Sequence, residues 1–317
     1  MSMYFAKKER SIITRFKKRI AMSTNRRDFL RSSAFASLAF TLPFKGKSSF
    51  LGSYAQGGES IRSFGLQLWT VKEDMGANAK DTLQKIATYG YRQIESFEGS
   101  KGMFWGWKNT AFKKYMDDLG MGIISSHCNN TVDFERKAAE AAEIGMKYLI
   151  CPYKGPQKSI EDFKKFADEF NKSGAICKKN GIRFAYHNHD YSFKPVDGMI
   201  PQTVMMDNTD KDLVDFEMDI YWVVAAGEDP KAWFAKYPGR FKLCHVKDLA
   251  KTNSKEGHES VQIGKGTIDF ASILKAGASN GLKYHIIEQE AFTGSNPMQS
   301  AEADAKYMKN FSYPPTP

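Results

Sequence analysis

Histidines, aspartates and glutamates in this 317-residue chain gather at the ends of short apolar runs. One run closes on Ile94-Glu95, another on Ser126-His127, and a third on Tyr186-His187-Asn188-His189. Others close on Glu217-Met218-Asp219, His245-Val246-Lys247-Asp248 and Glu288-Gln289-Glu290. Four of the six histidines fall at these ends, and only His258 and His285 do not. Taken singly, such a carboxylate is most often a cap or an ion-pair partner, and such a histidine a satisfied polar group. Taken together they supply the mixed nitrogen and oxygen donors that a divalent cation requires, with Mn, Zn, Co, Fe and Mg not told apart by residue type. Side chains two apart on a strand share a face. His187 therefore pairs with His189, Glu217 with Asp219, and Glu288 with Glu290, the first of each pair lying deeper.

Bringing these ends together is a task for the elements that carry them. Six times a charged, helical stretch ends in Gly and a β-type run follows, after Gly90, Gly120, Gly145, Gly181, Gly239 and Gly281. Glycine past a helix end accepts the left-handed conformation that closes it, and the apolar run then reads as a buried parallel strand. Runs at Ser63–Trp69 and Val214–Ile220 complete a set of eight, starting near residues 63, 93, 122, 148, 183, 214, 241 and 284. Eight alternating units predict a (β/α)8 TIM barrel, whose chemistry sits at the carboxyl ends of its strands. A doubly wound open sheet would place a Gly-rich phosphate turn after the first strand. None is there, and the late Gly264-Lys-Gly-Thr reads as a loop.

Composition narrows the function further. Hydrophobic residues make up 42% and charged residues 26%, a globular balance. The four cysteines show no CxxC spacing, which argues against a cysteine zinc site or a disulfide framework. No run reaches the ~20 apolar residues of a membrane span. The net charge of +10 lies wholly in residues 1–55, which hold 12 Lys and Arg against 2 Asp and Glu. The remaining chain carries 34 basic and 34 acidic residues and has no global reason to seek nucleic acid. Within the leader, Arg26-Arg27-Asp28-Phe29-Leu30 and the short apolar run to Phe44 resemble a bacterial twin-arginine export signal. Residues 1–55 are thus read as extension and signal, residues 56–317 as the barrel domain, and the mature protein as periplasmic or otherwise exported.

The series Tyr186-His-Asn-His-Asp190, Phe216-Glu-Met-Asp-Ile-Tyr-Trp222, His245-Val-Lys-Asp248, Gly264-Lys-Gly-Thr-Ile-Asp-Phe270 and Ile287-Glu-Gln-Glu290 resembles the xylose isomerase-like sugar phosphate isomerase/epimerase superfamily, in its exported bacterial branch. The resemblance spans roughly residues 63–312. It implies a barrel with one divalent metal held by carboxylates and a histidine, among relatives that include epimerases, isomerases, dehydratases and a nuclease branch. It also implies metal ligands Asp219, His245 and Glu288. The glutamate common on strand five is matched by about Ala185, so His187 is the substitute ligand and His189 the alternative.

On this resemblance a carbohydrate is the small-molecule partner and the metal a Lewis acid beside a proton-transfer group. Glu95, Glu290 and His189 are the base candidates, and Lys247 and His127 could donate to a developing oxyanion. Trp69, His127, Asn188 and Trp222 are the expected substrate contacts. The reading is an isomerase or epimerase that removes the proton α to a sugar carbonyl. The alternatives are a metal-dependent lyase or hydrolase of 3-keto-glycosides and a non-catalytic sugar-binding barrel. Export, as read from the leader, turns the substrate expectation away from sugar phosphates, and a near-neutral body makes a metallonuclease the poorest choice.

Overall fold

Parallel strands form wherever the Gly-led apolar runs lie. The computed structural model describes residues 60–61, 63–251 and 258–313, so the leader read over residues 1–55 lies outside the described residues. In chain order the strands are β1 (Gly65–Gln67), β2 (Gln93–Phe97), β3 (Gly122–His127), β4 (Tyr148–Cys151), β5 (Arg183–His187), β6 (Val214–Asp219), β7 (Phe241–Val246), β8 (Asp248–Leu249), β9 (Ser260–Val261) and β10 (Tyr284–Ile287). Eight of them close into a parallel barrel, β1 through β7 in order, with β10 sealing β7 to β1. The expected (β/α)8 barrel is the observed fold. Strands β8 and β9 make a separate antiparallel ribbon beyond β7.

The helices are α1 (Lys72–Tyr89), α2 (Asn109–Asp118), α3 (Phe134–Glu143), α4 (Ile160–Lys179), α5 (Pro201–Asp207), α6 (Ile220–Ala225), α7 (Pro230–Lys236), α8 (Phe270–Ser279) and α9 (Pro297–Lys309). All six glycines that precede strands have positive φ, from 68° to 103°, as the closing of a helix requires. Helix α4 shows how the outer layer forms. Glu161 and Asp162 sit in its first turn and Lys178 and Lys179 in its last, complementing the helix dipole. Ile160, Phe163, Ala167, Phe170 and Cys177 recur on one face and are buried. Gly174 lets α4 close on the backbone before β6, where a Cβ would meet Leu213 O at 2.7 Å.

Alternation sorts the barrel side chains. On β5, Phe184 and Tyr186 join the core under the helices, while Ala185 joins Tyr148, Ile150 and Leu243 in a separate apolar plug inside the barrel. The strand-five position without a carboxylate is thus part of that plug. Above it the interior turns polar, and Gln67, Glu95, Ser125, Glu217 and His245 have no solvent exposure. The strand pairing shifts at this level, between Ile94/Glu95 on β2 and between Phe216/Glu217 on β6. The partner strands β3 and β7 each carry one extra residue there, a bulge that re-aims the residues beyond it.

Candidate metal centre

Four strand ends meet at one point. His187 closes β5, Asp219 closes β6, His245 is the fifth residue of β7, and Glu288 directly follows β10. One ligand atom from each lies within 4.8 Å of the others. His245 Nδ1 is 3.2 Å from His187 Nε2 and 3.2 Å from Glu288 Oε2. Asp219 Oδ2 is 3.5 Å from His187 Nε2 and 3.7 Å from His245 Nδ1. Tetrahedral ligands at bonds of about 2.0–2.1 Å stand roughly 3.3 Å apart, so these spacings suit a single cation. Asp219 Oδ2 is buried and has no hydrogen-bond partner, which is the mark of an acceptor whose partner is an ion. The residues fit a divalent cation. His189, the alternative ligand, stands outside this group; its ring stacks on Tyr191 and lies 5.4 Å from Trp222.

Each ligand is held by a second contact. His187 Nδ1 lies 3.2 Å from the Pro152 carbonyl, and an N–H there leaves Nε2 as the lone pair. Asp219 Oδ1 accepts from Trp222 N at 3.1 Å, so the same carboxylate caps α6. Asn188 was expected among the substrate contacts. Its side chain is instead fully buried, donating to Asp219 O and accepting from Asp219 N, both at 3.2 Å. It ties the end of β5 to the end of β6. Lys247 is buried against Glu290, with Glu288 Oε2 at 3.3 Å and Asp219 Oδ2 at 3.8 Å. Burial alone would lower the Lys247 pKa, but Glu288, Asp219 and Glu290 together raise it above the ordinary lysine range. Burial pushes the Glu288 pKa upward, yet Lys247 and His245 leave it well below the usual carboxylate range.

Beneath the ligands lies a second polar layer. Glu95 was expected among the groups that move protons. It has no solvent exposure, and both its oxygens are engaged from below the ligands. Its Oε1 accepts from Gln67 Nε2 at 2.7 Å and lies 2.8 Å from His245 Nε2 and 3.0 Å from His127 Nε2, while Oε2 accepts from Ser125 Oγ at 2.5 Å. With Nε2 donating to Glu95, His245 turns Nδ1 toward the other ligands. Glu217 Oε2 is 2.9 Å from His127 Nε2 and 3.4 Å from His245 Nε2. Burial and the neighbouring Glu95 push the Glu217 pKa up to about 7. Burial would lower the His127 pKa, but Glu95 and Glu217 outweigh it and raise it to about 9.

Over the centre opens a cavity of about 550 Å³. Of the residues expected at the site, Trp69, His127, His187, His189, Trp222, Glu288 and Glu290 line it. Burial lowers the His189 pKa to about 3, with His187 adding to the effect. The sequence reading missed Glu98, Lys137 and Tyr153, which also line the cavity, and the Gln67 and Ser125 contacts below it. Glu98 was within reach, three residues past Glu95 at the same strand end. Tyr153 follows β4, one of the two barrel strands whose end carries no His, Asp or Glu, so nothing in the sequence marked it. The Gly264-Lys-Gly-Thr turn is no anion cradle. The N–H groups of Gly264 and Gly266 both donate to Asp248 Oδ2 at 2.9 Å.

Residues 83–311 match the model of a family described as xylose isomerase-like TIM barrel. The chain belongs to this family. Among curated relatives, inosose dehydratase of Clostridium perfringens is 32% identical over 170 residues, covering 47% of this chain and 54% of that protein. The chain therefore spans about half the length of the curated relatives it matches. Two solved structures from Parabacteroides distasonis, each described as a sugar phosphate isomerase/epimerase, are also similar. One is 29% identical with a TM-score of 0.66, covering 80% of this chain and 95% of that one. The other is 27% identical with a TM-score of 0.69, covering 79% and 99%. Among the described residues, no helix is long and apolar enough to cross a membrane.

Proposed function

We propose that the protein is a metal-dependent carbohydrate enzyme that removes the proton α to a sugar carbonyl. The observation that carries this is the four-residue donor set His187, Asp219, His245 and Glu288, of which His187 and Glu288 line a cavity that Glu290 also lines, with Lys247 buried behind Glu288 and Glu290. A divalent cation bound there would supply Lewis-acid polarisation of a carbonyl or hydroxyl oxygen. Glu290 is the base, because its carboxylate lines the cavity and shares Lys247 with the donor Glu288, whereas Glu98 pairs with Lys137 away from the donors. Lys247 holds that carboxylate in place and offers an N–H to an oxygen gaining charge. His127 does the same from the opposite wall, fixed by Glu95 and Glu217. Trp222 gives the sugar ring a flat apolar surface.

The placement of the carboxylates bears on the outcome. Glu288 and Glu290 enter from the β10 side, while the β5 side carries His187 and His189 above Ala185. Epimerisation by two bases asks for one on each face of the carbon, so this arrangement favours one-base isomerisation. A second reading, elimination of a β-substituent, uses the same first step. The similarity to inosose dehydratase favours it. Incubating the Mn-, Zn- or Co-loaded protein with a panel of keto-sugars in deuterated water tests both. Deuterium entering recovered sugar marks isomerisation, and an absorbing α,β-unsaturated ketone marks elimination. Neither signal with any sugar and any metal would refute the proposal. Action after export is part of the same proposal and rests on Arg26-Arg27 and the apolar run that follows.

A further inference from the structure

Only four large hydrophobic side chains stand exposed among the described residues: Trp69 at 39%, Val132 at 56%, Tyr153 at 55% and Met199 at 42%. Three of them, all but Met199, line the one cavity above the metal centre. Apolar surface left open in one place around a concave site marks a binding surface rather than chance exposure. These side chains come from the ends of three strands that contribute no metal ligand: Trp69 follows β1, Val132 follows β3, and Tyr153 follows β4.

Both aromatic members are held in place. Trp69 stands edge-to-face on Phe97 at 5.0 Å, and Phe97 stands edge-to-face on Trp105 at 5.1 Å. Tyr153 is braced by His189 at 5.1 Å and Tyr191 at 5.3 Å, again edge-to-face. A ring fixed by its neighbours gives contact area with little entropy left to lose on binding. Beside them the cavity carries a polar corner. Glu98 Oε2 accepts from Lys137 Nζ at 2.6 Å and from Asn129 N at 2.9 Å. Rigid aromatic faces next to a carboxylate and an amide match a second sugar ring, with its apolar C–H face and its rim of hydroxyls. The volume agrees. About 550 Å³ falls within the ~300–1,000 Å³ of small-molecule sites.

We infer that the cavity holds two sugar subsites, one over the metal donors and one bounded by Trp69, Val132, Tyr153, Glu98 and Asn129, so that the substrate is a glycosidically linked carbohydrate of at least two rings. This deepens the proposed function and rests on it. The test is calorimetric titration of the Mn-loaded full-length protein with glucose and with maltose, cellobiose, lactose and sucrose. At least one disaccharide is expected to bind about tenfold or more tightly than glucose. In Tyr153→Ala and Trp69→Ala that ratio is expected to fall toward one. Circular dichroism confirms that each variant is folded. Glucose binding with no disaccharide favoured, or a ratio unchanged in both variants, overturns the second subsite and leaves the carbohydrate reading intact. No binding of any sugar to metal-loaded protein overturns the carbohydrate reading, and the subsite with it.

Discussion

Glu95→Gln tests whether the buried carboxylate beneath His245 sets the strength of the metal centre. Glutamine has the shape of glutamate, and its carbonyl oxygen can occupy the Oε1 position. There it still accepts from Gln67 Nε2, now at 2.7 Å, and from His245 Nε2, now at 2.8 Å. Its amide then faces Ser125 Oγ, which can turn from donor to acceptor. The substitution therefore removes a charge and little else. Losing an outer partner of a ligating histidine costs about 10–100-fold in metal affinity, or roughly 1.4–2.7 kcal/mol. Glu217 Oε2 remains 3.4 Å from His245 Nε2 as a second, more distant acceptor, which places the expectation near the tenfold end.

The assay is competition for Zn or Mn against a chelator of known affinity, with a thermal melt of the metal-free protein to confirm the fold. Ser125→Ala is the companion variant. It removes one hydrogen bond to Glu95 while keeping the charge, and should weaken the metal by less than Glu95→Gln does. Affinity in Glu95→Gln within twofold of the unaltered protein, or a larger loss in Ser125→Ala, would refute the charge-mediated role. A metal bound through His187, Asp219 and Glu288 without His245 would give that result.

Asp219→Asn keeps an oxygen for Trp222 N, so it should fold normally yet lose at least a hundredfold in metal affinity, while Asp219→Ala should in addition lose about 1 kcal/mol of stability with the cap of α6; tight metal binding by both would remove Asp219 from the ligand set. Gly266→Ala would place a Cβ 2.2 Å from Asp248 Oδ1 and 2.3 Å from Leu249 O. It should cost about 2 kcal/mol, a fall of roughly 4–8 °C in Tm, and an unchanged melt would show that the loop can move aside. Asp304 titrates near 7 because burial raises it against the hydrogen bond from Ile263 N. The folded state thus holds its proton to higher pH than the unfolded chain does, so this group's contribution falls as pH climbs from about 4 to about 7. Asp304→Asn should then gain on the unaltered protein across that window, by up to ~4 kcal/mol at pH 8, and urea midpoints that run parallel from pH 5 to pH 8 would refute the assignment. Arg26→Lys with Arg27→Lys should hold the protein in the cytoplasmic fraction, and undiminished export would remove the twin-arginine reading.

The barrel was legible because six of its eight units are announced twice, by a helix-closing glycine and by the apolar run behind it. The strand at Val214 lacked the glycine, and its Glu217 and Asp219 still appeared as a same-face pair. The meeting of His187, Asp219, His245 and Glu288 was legible for a related reason. Parallel strands of one barrel must present their carboxyl ends on one side, so residues far apart in sequence could be placed together before any distance was known. Depth was harder to read. Glu95 and Glu290 both look like strand-end carboxylates, yet one lies sealed beneath His245 and the other lines the cavity. The register shifts beside Glu95 and Glu217 separate such cases, and a bulge of one residue leaves no mark in composition. Asn188 escaped for a different reason, since a side chain that pairs with a neighbouring backbone looks in sequence like one that would pair with a ligand.

His245 joins the two polar layers, and this constrains how the site can vary. Its Nδ1 belongs to the donor set with His187, Asp219 and Glu288, and its Nε2 to the buried set with Glu95, His127 and Glu217. Burial disfavours a charged ring there, but Glu217 and Glu288 outweigh it and hold its pKa well above the ordinary histidine value. Taking a cation through Nδ1 therefore means giving up a proton, so metal affinity should rise with pH. Glu95 can carry out its positioning only while Nε2 keeps its hydrogen, which leaves Nδ1 as the nitrogen that must lose it. A substitution at Glu95 or Glu217 thus reaches the cation through one ring without touching the cavity. Those in the aromatic wall, Trp69 and Tyr153, reach the substrate without touching the cation.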